Sequence, residues 1–475
     1  MIHTDFDAIV VGAGPNGLAA AIVLQQTGLS VLLLEAESTV GGGCRTESLT
    51  LPGFLHDVCS AIHPMAAASP FFQTLPLEKF GLEYIQPSIC AAHPLDKGGV
   101  AILSRSLEQT TEALGEDAKA YRHLYTPLIE HWPGMAKDAL GPLTFPSHPI
   151  HMAQFGLNAL KPALTLAKRY KTPEAKALWG GLAAHSLVPL SYPATSAIGL
   201  VLTIAAHTTG WPLPKGGSGR IAQSMAAYFE SLGGVIETNI RITSLDQLPS
   251  SRAVLFDLSP RRLLEIAGHK FSSLYRHQLA KYRYGPGVFK IDWALDAPIP
   301  WTNPQCRYAG TVHIGGTLEE IAFSEKETWS GRPVDKPFVL VAQQSLFDPN
   351  RAPAGKQTAY AYCHVPNGST RDHTAIIEAQ LERFAPGFKD RILARHTMDS
   401  AALEAYNANY IGGDINGGAI DLAQLFTRPA LRSSPYRTSA RGLYICSAST
   451  PPGGGVHGLC GYHAAQRAIR DVFGG

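Results

Sequence analysis

The stretch DAIVVGAGPNGLAAAIVLQQTGLSVLLLE, residues 7–35, decides the fold. Phe6 to Val11 is a short run rich in β-branched residues, the pattern of a strand buried on both faces. Gly12-Ala13-Gly14-Pro15-Asn16-Gly17 follows, and then an Ala-rich helix over Leu18–Thr27 closed by Gly28. Ser30 to Leu34 is a second strand, and it ends at Glu35, 23 positions after Gly12. Alone, G-x-G-x-x-G says little. Between a strand and a helix, with an acidic residue at that distance, it marks a dinucleotide site. Gly12 permits the tight turn, and Gly14 lets the backbone approach a pyrophosphate that the helix N-terminus attracts. Gly17 lets helix and strand pack closely, and Glu35 is placed to accept hydrogen bonds from ribose hydroxyls. Pro15, Asn16 and Ala36 complete the candidate contacts in this unit.

The next segment separates one dinucleotide from another. Val40-Gly41-Gly42-Gly43-Cys44-Arg45-Thr46 lies just past the acidic residue. A simple NAD domain has no need of a second glycine loop there. In one group of FAD enzymes such a loop runs along the diphosphate and an Arg helps to hold it. Gly42, Gly43 and Arg45 are accordingly candidate FAD contacts.

With these motifs the chain resembles the phytoene desaturase branch of the FAD-linked amine oxidase superfamily. The resemblance is carried by GAGPNG, Glu35, GGGCRT and Pro52-Gly53-Phe54-Leu55-His56-Asp57 near the N-terminus. It continues through Leu213-Pro214-Lys215-Gly216-Gly217-Ser218-Gly219-Arg220 and ends with Gly442-Leu443-Tyr444 to Gly455-Val456. The loop NYIGGDINGG, residues 409–418, and GGGVHG, residues 453–458, are most similar to "phytoene dehydrogenase-related" oxidoreductases rather than to the carotenoid enzymes. The resemblance implies an α/β fold, a Rossmann-like FAD-binding domain (GR2 type) with an inserted α+β substrate-binding domain on a mixed or antiparallel sheet plus helices. It implies that Ile240-Arg241-Ile242 is a strand clamping the adenine through its backbone, with Ile242 in contact. It also implies that Thr450–Gly458 wraps the flavin ring, with Gly454, Gly455 and Val456 against it, and that the last helix points its positive end at the reduced ring.

Beyond the first unit, residues 69–213 read as helix-rich and punctuated by proline. A helix opens at Gly216–Gly219 and stops at Gly233-Gly234. Val235–Thr238 and Ala253–Phe256 read as strands, and Ser259-Pro260 starts another helix. Phe289, Ile291, Trp293 and Leu295 alternate with Lys290, Asp292 and Ala294, which predicts a half-buried antiparallel strand. Phe338–Val341 and Tyr360–Cys363 look like its partners. Boundaries near 70, 215, 285 and 405 divide the chain. Residues 1–70, 215–285 and 405–475 make a discontinuous FAD-binding domain, and 71–214 with 286–404 make a substrate-binding domain.

Composition excludes several classes. The chain is 45% hydrophobic and 16% charged with net charge +2, which gives no footprint for nucleic acid. Its seven cysteines are odd in number and none is spaced C-x-x-C, so neither a disulfide framework nor a metal site is expected. Asp5 and Asp7 interrupt any apolar leader, and the chain reads as cytoplasmic. Residues 177–214 contain no Asp, Glu, Lys or Arg. Four prolines and several threonines there argue for buried helices walling a greasy cavity over a membrane span, with peripheral membrane contact and oligomeric state left open.

The expected activity is an FAD-dependent oxidoreductase that takes a hydride from an apolar small molecule, by carbon–carbon desaturation. Flavin amine oxidation and a flavin-linked isomerisation are the alternatives. A flavin-free prenyl- or lipid-binding escort protein of the same fold is disfavoured because Gly12, Gly14, Gly17 and Glu35 are all kept. No second strand–GxGxxG–helix unit exists for a nicotinamide, so oxygen or a quinone is the expected electron acceptor. Candidate catalytic residues are His457, beside the flavin motif, His63, after the diphosphate loop, and Asp414, in the second glycine loop. Tyr410 and Asn416 of that loop are candidates to line the pocket.

Overall fold

The computed structural model describes residues 5–474. The decisive stretch forms a buried strand, Phe6–Val11, a helix, Pro15–Gln25, and a strand, Val31–Leu34. Pro15 supplies the fixed φ of a first helical residue, where its missing N–H costs nothing. The helix is buried from Asn16 to Leu24, which explains why its sequence is apolar all round and not amphipathic.

These strands sit at the centre of a five-stranded parallel sheet. Its order is Leu443–Ile445, Ser251–Phe256, Phe6–Val11, Val31–Leu34, Val235–Glu237. Val10 stands beside Leu255 on one side and Leu33 on the other. Chain segments more than 180 residues apart thus share one sheet, and the last helix, Leu459–Ala468, packs across the first. A Cβ on Gly17 would overlap the carbonyl oxygen of Gly12, and a Cβ on Gly461 would overlap that of Asn16. Strand, first helix and last helix are in backbone contact at this point.

The second sheet has seven strands, in the order Ile392–Met398, Gly287–Leu295, Gln357–Val365, Val339–Ala342, Ala309–Ile314, Ile89–Pro94, Val100–Ser104. All neighbours are antiparallel except Ala309–Ile314 with Ile89–Pro94, so the sheet is mixed, as expected. Val339–Ala342 pairs with Gln357–Val365 and not directly with Gly287–Leu295. Gly287–Leu295 also departs from the half-buried expectation, since every residue in it is buried. Its polar face is covered, and Lys290 and Asp292 form a buried ion pair under the ring of Tyr360.

The uncharged segment supplies the helix Thr195–Thr208, which packs on Pro173–Ala184. Two of its threonines satisfy their hydroxyls within the helix: Thr203 Oγ1 donates to the Gly199 carbonyl at 2.7 Å and Thr208 Oγ1 to the Ile204 carbonyl at 2.9 Å. Among the described residues no helix is long and apolar enough to cross a membrane.

In a helix interior, Gly→Ala ordinarily gains up to ~1 kcal/mol. Gly461→Ala should do the opposite here. Overpacking against backbone that cannot yield typically costs about 1–3 kcal/mol, so the thermal midpoint should fall. A midpoint that rises, measured by circular dichroism on purified protein, would contradict the close packing of the two helices.

Candidate functional site

One cavity of about 640 Å³ runs between the two sheets. Its nucleotide side is lined by Gly12, Gly14, Pro15, Asn16, Glu35, Ala36, Gly42, Gly43, Arg45 and Ile242, and by Gly455 and Val456 from the C-terminal loop. The ends of the parallel strands deliver these residues to one edge of the sheet, where open α/β sheets bind ligands. Gly17 and Gly454 lie behind this lining. Gly17 packs helix on strand. Gly454 lets two glycine loops touch, because a Cβ there would lie 2.9 Å from the Cα and carbonyl oxygen of Asn416.

Glu35 is buried, and its carboxylate accepts hydrogen bonds from the N–H groups of Ala13 at 2.8 Å and Glu37 at 3.0 Å. Arg45 Nη2 donates to the Thr39 carbonyl at 2.7 Å and stands 3.4 Å from Glu35. Ile240 to Ile242 is not a strand: the segment is irregular, held by Ile240 N–H on the Glu35 carbonyl at 2.8 Å. Asn239 takes a positive φ of 59° just before it, and this turns the chain away from the sheet edge.

These residues fit a bound FAD. Asn16 Oδ1 and Arg45 Nε are buried at the lining without a partner among the described residues, and an unpaired buried polar group costs free energy until a ligand satisfies it. The first helix presents its N-terminus beside Gly14, and a Cβ at Gly14 would project to within 2.9 Å of Asp257 Oδ2.

Several residues that hold this edge were not among the candidate site residues, although Asp57 stands in one of the motifs that carry the resemblance. Asp257 ends the strand Ser251–Phe256, lines the cavity, and accepts from Gly17 N–H at 2.9 Å. Burial first, and the Glu35 charge in addition, push its carboxyl up to about 7. Asp57 is buried against Arg351 at 2.8 Å and accepts from Ser218 N–H and Thr46 Oγ1, both at 2.8 Å. Burial raises its carboxyl, but the Arg351 charge and these hydrogen bonds outweigh it and hold the group below the usual carboxylate range. Arg428 is buried, and its Nη2 donates to the Ala448 carbonyl at 2.9 Å and the Tyr282 hydroxyl at 3.2 Å, bracing the flavin loop.

The three candidate catalytic residues separate. His63 lines the cavity, and its Nε2 is 2.8 Å from Ser218 Oγ. The Ser218 hydroxyl is committed as donor to the Ser60 carbonyl, so His63 donates from Nε2 and keeps its lone pair on Nδ1. Burial pushes His63 down to about 4, leaving it neutral. His457 does not line the cavity. Its Nδ1 accepts from Leu459 N–H at 3.1 Å and its Nε2 donates to the Gly453 carbonyl at 3.1 Å, so the ring caps the last helix with both nitrogens in use. Asp414 is also outside the lining, where it accepts from the N–H groups of Gly285 at 2.8 Å and Asn416 at 2.7 Å. Tyr410 and Asn416 do line the cavity.

The opposite wall comes from the seven-stranded sheet and the uncharged segment: Leu202, Trp211, Leu340, Tyr360 and Tyr362, with His185 among them and Ile62 added from the segment before the helix Pro64–Ala67. Tyr360, Tyr362 and His364 alternate along one strand and share its cavity face.

The protein-family comparison matches residues 16–469 to the flavin containing amine oxidoreductase family. A mouse protein described as pyridine nucleotide-disulfide oxidoreductase domain-containing protein 2 is 26% identical, over 99% of this chain and 94% of its own. A lycopene-forming phytoene desaturase from Paracoccus is 24% identical, over 97% and 96%. Among solved structures, a putrescine oxidase variant redesigned in cofactor binding superposes with a TM-score of 0.63 at 18% identity, over 99% of both chains.

Asp257 yields a pH prediction. Its folded-state pKa is raised, so the contribution is complete below the unfolded value near ~4 and is lost as pH rises through about 7. Between about pH 5 and about pH 8, flavin-free protein should lose on the order of 3 kcal/mol from this group. Asp257→Asn keeps an acceptor for Gly17 N–H and should abolish that loss. Thermal unfolding of both apo forms at the two pH values checks it, and parallel pH profiles would contradict the assignment.

Proposed function

The chain belongs to the flavin containing amine oxidoreductase family and is an FAD-dependent oxidoreductase, and on that premise we propose that it removes a hydride from carbon of an apolar substrate to form a carbon–carbon double bond. One observation carries this reading. Every ionisable Asp, Glu, Lys or Arg lining the cavity lies on the nucleotide side: Glu35, Glu37, Arg45, Arg241, Asp257, Arg262 and Glu265. The opposite wall has none.

A protonated amine entering that wall would leave water without meeting a counter-ion, which costs several kcal/mol. Aromatic faces do not replace the missing carboxylate. One face of the Tyr360 ring is already taken by Lys290 Nζ at 4.6 Å and is closed to a second cation. An uncharged hydrocarbon chain, by contrast, gains about 25 cal/mol for each Å² it removes from water against Leu202, Trp211 and Leu340.

Bound FAD supplies the two-electron acceptor that takes the hydride, and oxygen or a quinone then takes the electrons onward. The protein's residues orient the substrate and exclude water from it. His63 offers the released proton a lone pair at Nδ1, on a neutral ring anchored through Nε2 to Ser218. The relatives support either side: a phytoene desaturase acts on a hydrocarbon, and a putrescine oxidase on an amine.

Anaerobic titration of the holoenzyme separates the readings. Long-chain isoprenoids should bleach the flavin, whereas putrescine and alkylamines should leave it oxidised. Bleaching by the amines and not by the isoprenoids would overturn the proposal. Turnover of an isoprenoid with no bleaching at all would point to isomerisation instead.

A further inference from the structure

The uncharged wall of the cavity is not uniformly apolar. His185 follows the helix Pro173–Ala184, is half-buried, and lines the cavity beside Trp211, whose ring it meets edge-on at 6.1 Å. Its Nε2 is 3.0 Å from Nε2 of His313, on the strand Ala309–Ile314. Burial, with the facing histidines, pushes His185 down to about 3 and His313 well below the ordinary value, so both rings are neutral. Two neutral rings in contact through nitrogen must share one proton between those atoms, and either ring can be the donor.

The surroundings of His313 decide which. Its other nitrogen, Nδ1, is fully buried and has no hydrogen-bond partner. It faces Gly181, where a Cβ would lie only 2.7 Å away. A proton on that Nδ1 would be a buried N–H with no partner among the described residues, at the full desolvation cost of the group. A bare lone pair there costs less. His313 therefore keeps its proton on Nε2 and donates it to His185 Nε2. His185 in turn must carry its own proton on Nδ1, which has no partner among the described residues, on the part of the ring left to the cavity.

We propose that His185 Nδ1–H is a built hydrogen-bond donor in the substrate cavity, and that the apolar substrate carries an uncharged oxygen acceptor, a carbonyl, ether or hydroxyl oxygen, that seats on it. His313 is a positioning residue that sets the tautomer. Gly181, having no Cβ, lets the His313 ring lie this close to the helix Pro173–Ala184. Tyr362, half-buried at the same lining, has a hydroxyl with no partner among the described residues and offers a second donor to the same oxygen. A pure hydrocarbon would leave the His185 donor unpaired on binding. A carboxylate would find no cation on this wall, and an ammonium would find a donor where it needs an acceptor.

The inference rests on the proposed function for the use of this cavity as the substrate site, but its test does not depend on turnover. The probes are cyclooctanone and cyclooctane, one carbon ring with and without an acceptor oxygen. Their dissociation constants are measured on FAD-loaded protein from the perturbation of the flavin absorbance. His185→Phe keeps a flat ring and removes the donor. It should weaken cyclooctanone by about tenfold relative to its effect on cyclooctane, the loss of one hydrogen bond to a desolvated acceptor. Equal changes for both probes, within about twofold, would overturn the proposal. Should His185→Phe fail to fold, spectra of the wild-type holoenzyme with ¹⁵N-labelled histidine read the tautomers directly. The account requires a proton on Nδ1 of His185 and on Nε2 of His313, and the reverse arrangement would overturn it. If the binding difference is present but no isoprenoid reduces the flavin, the proposed oxidation fails while the donor site stands.

Discussion

The structure depends on a backbone contact at the first turn of the helix Pro15–Gln25. No side chain fits between Gly17 and the Gly12 carbonyl, or between Gly461 and the Asn16 carbonyl. Asp257 closes the same turn from a third strand by accepting from Gly17 N–H. Residues separated by hundreds of positions are thereby brought within hydrogen-bond distance of one helix N-terminus. The nucleotide edge exists only because these pieces meet there, and the inserted sheet is held against it by buried pairs such as Asp57 with Arg351. Removing one partner of such a pair leaves an uncompensated buried charge, at about 3–5 kcal/mol.

Polarity divides the cavity along the same line. The nucleotide side collects charges, helix ends, an unpaired acceptor at Asn16 and an unpaired donor at Arg45, all suited to a diphosphate and ribose. The other wall is aromatic and aliphatic, and its titratable groups, His185, Tyr360 and Tyr362, are kept neutral by burial. Lys290 and Asp292 of the inserted sheet are paired with each other inside the protein, and the buried Glu325 carboxylate is held by His364 Nδ1 at 2.9 Å. A ligand on that side meets dipoles rather than ions. Such a surface selects by shape and by the position of one or two hydrogen-bonding atoms.

What the sequence made legible was what local chemistry imposes. The glycine spacing at Gly12, Gly14 and Gly17 follows from a turn, a close approach and a helix contact within one βαβ unit, so residues 6–35 could be read directly. The apolar run of residues 177–214 could also be read, because a buried helix cannot hide charge. Long-range geometry was not readable. Asp257 lies 240 residues from the N–H it binds, and nothing in its neighbourhood marks it. Alternation at Lys290 and Asp292 suggested solvent, but a covering segment with its own ion partners buries that face. His457 stands next to the flavin motif, yet its ring turns back to the Gly453 carbonyl and Leu459 N–H. His185 was one histidine among 18, and only its contact with His313 gives it a proton in a defined place.

The central claim is that these separated pieces assemble one flavin site at the first turn of that helix. Gly14→Val tests it most directly. Gly14 has φ −71°, which valine accepts without backbone strain, and its Cβ would meet the Asp257 side chain and no backbone atom. The variant should therefore fold while filling the space that a diphosphate needs. The measurement is the flavin absorbance per chain of the purified variant, with circular dichroism to confirm folding. The account predicts folded, colourless protein. Folded protein with full flavin occupancy would contradict it.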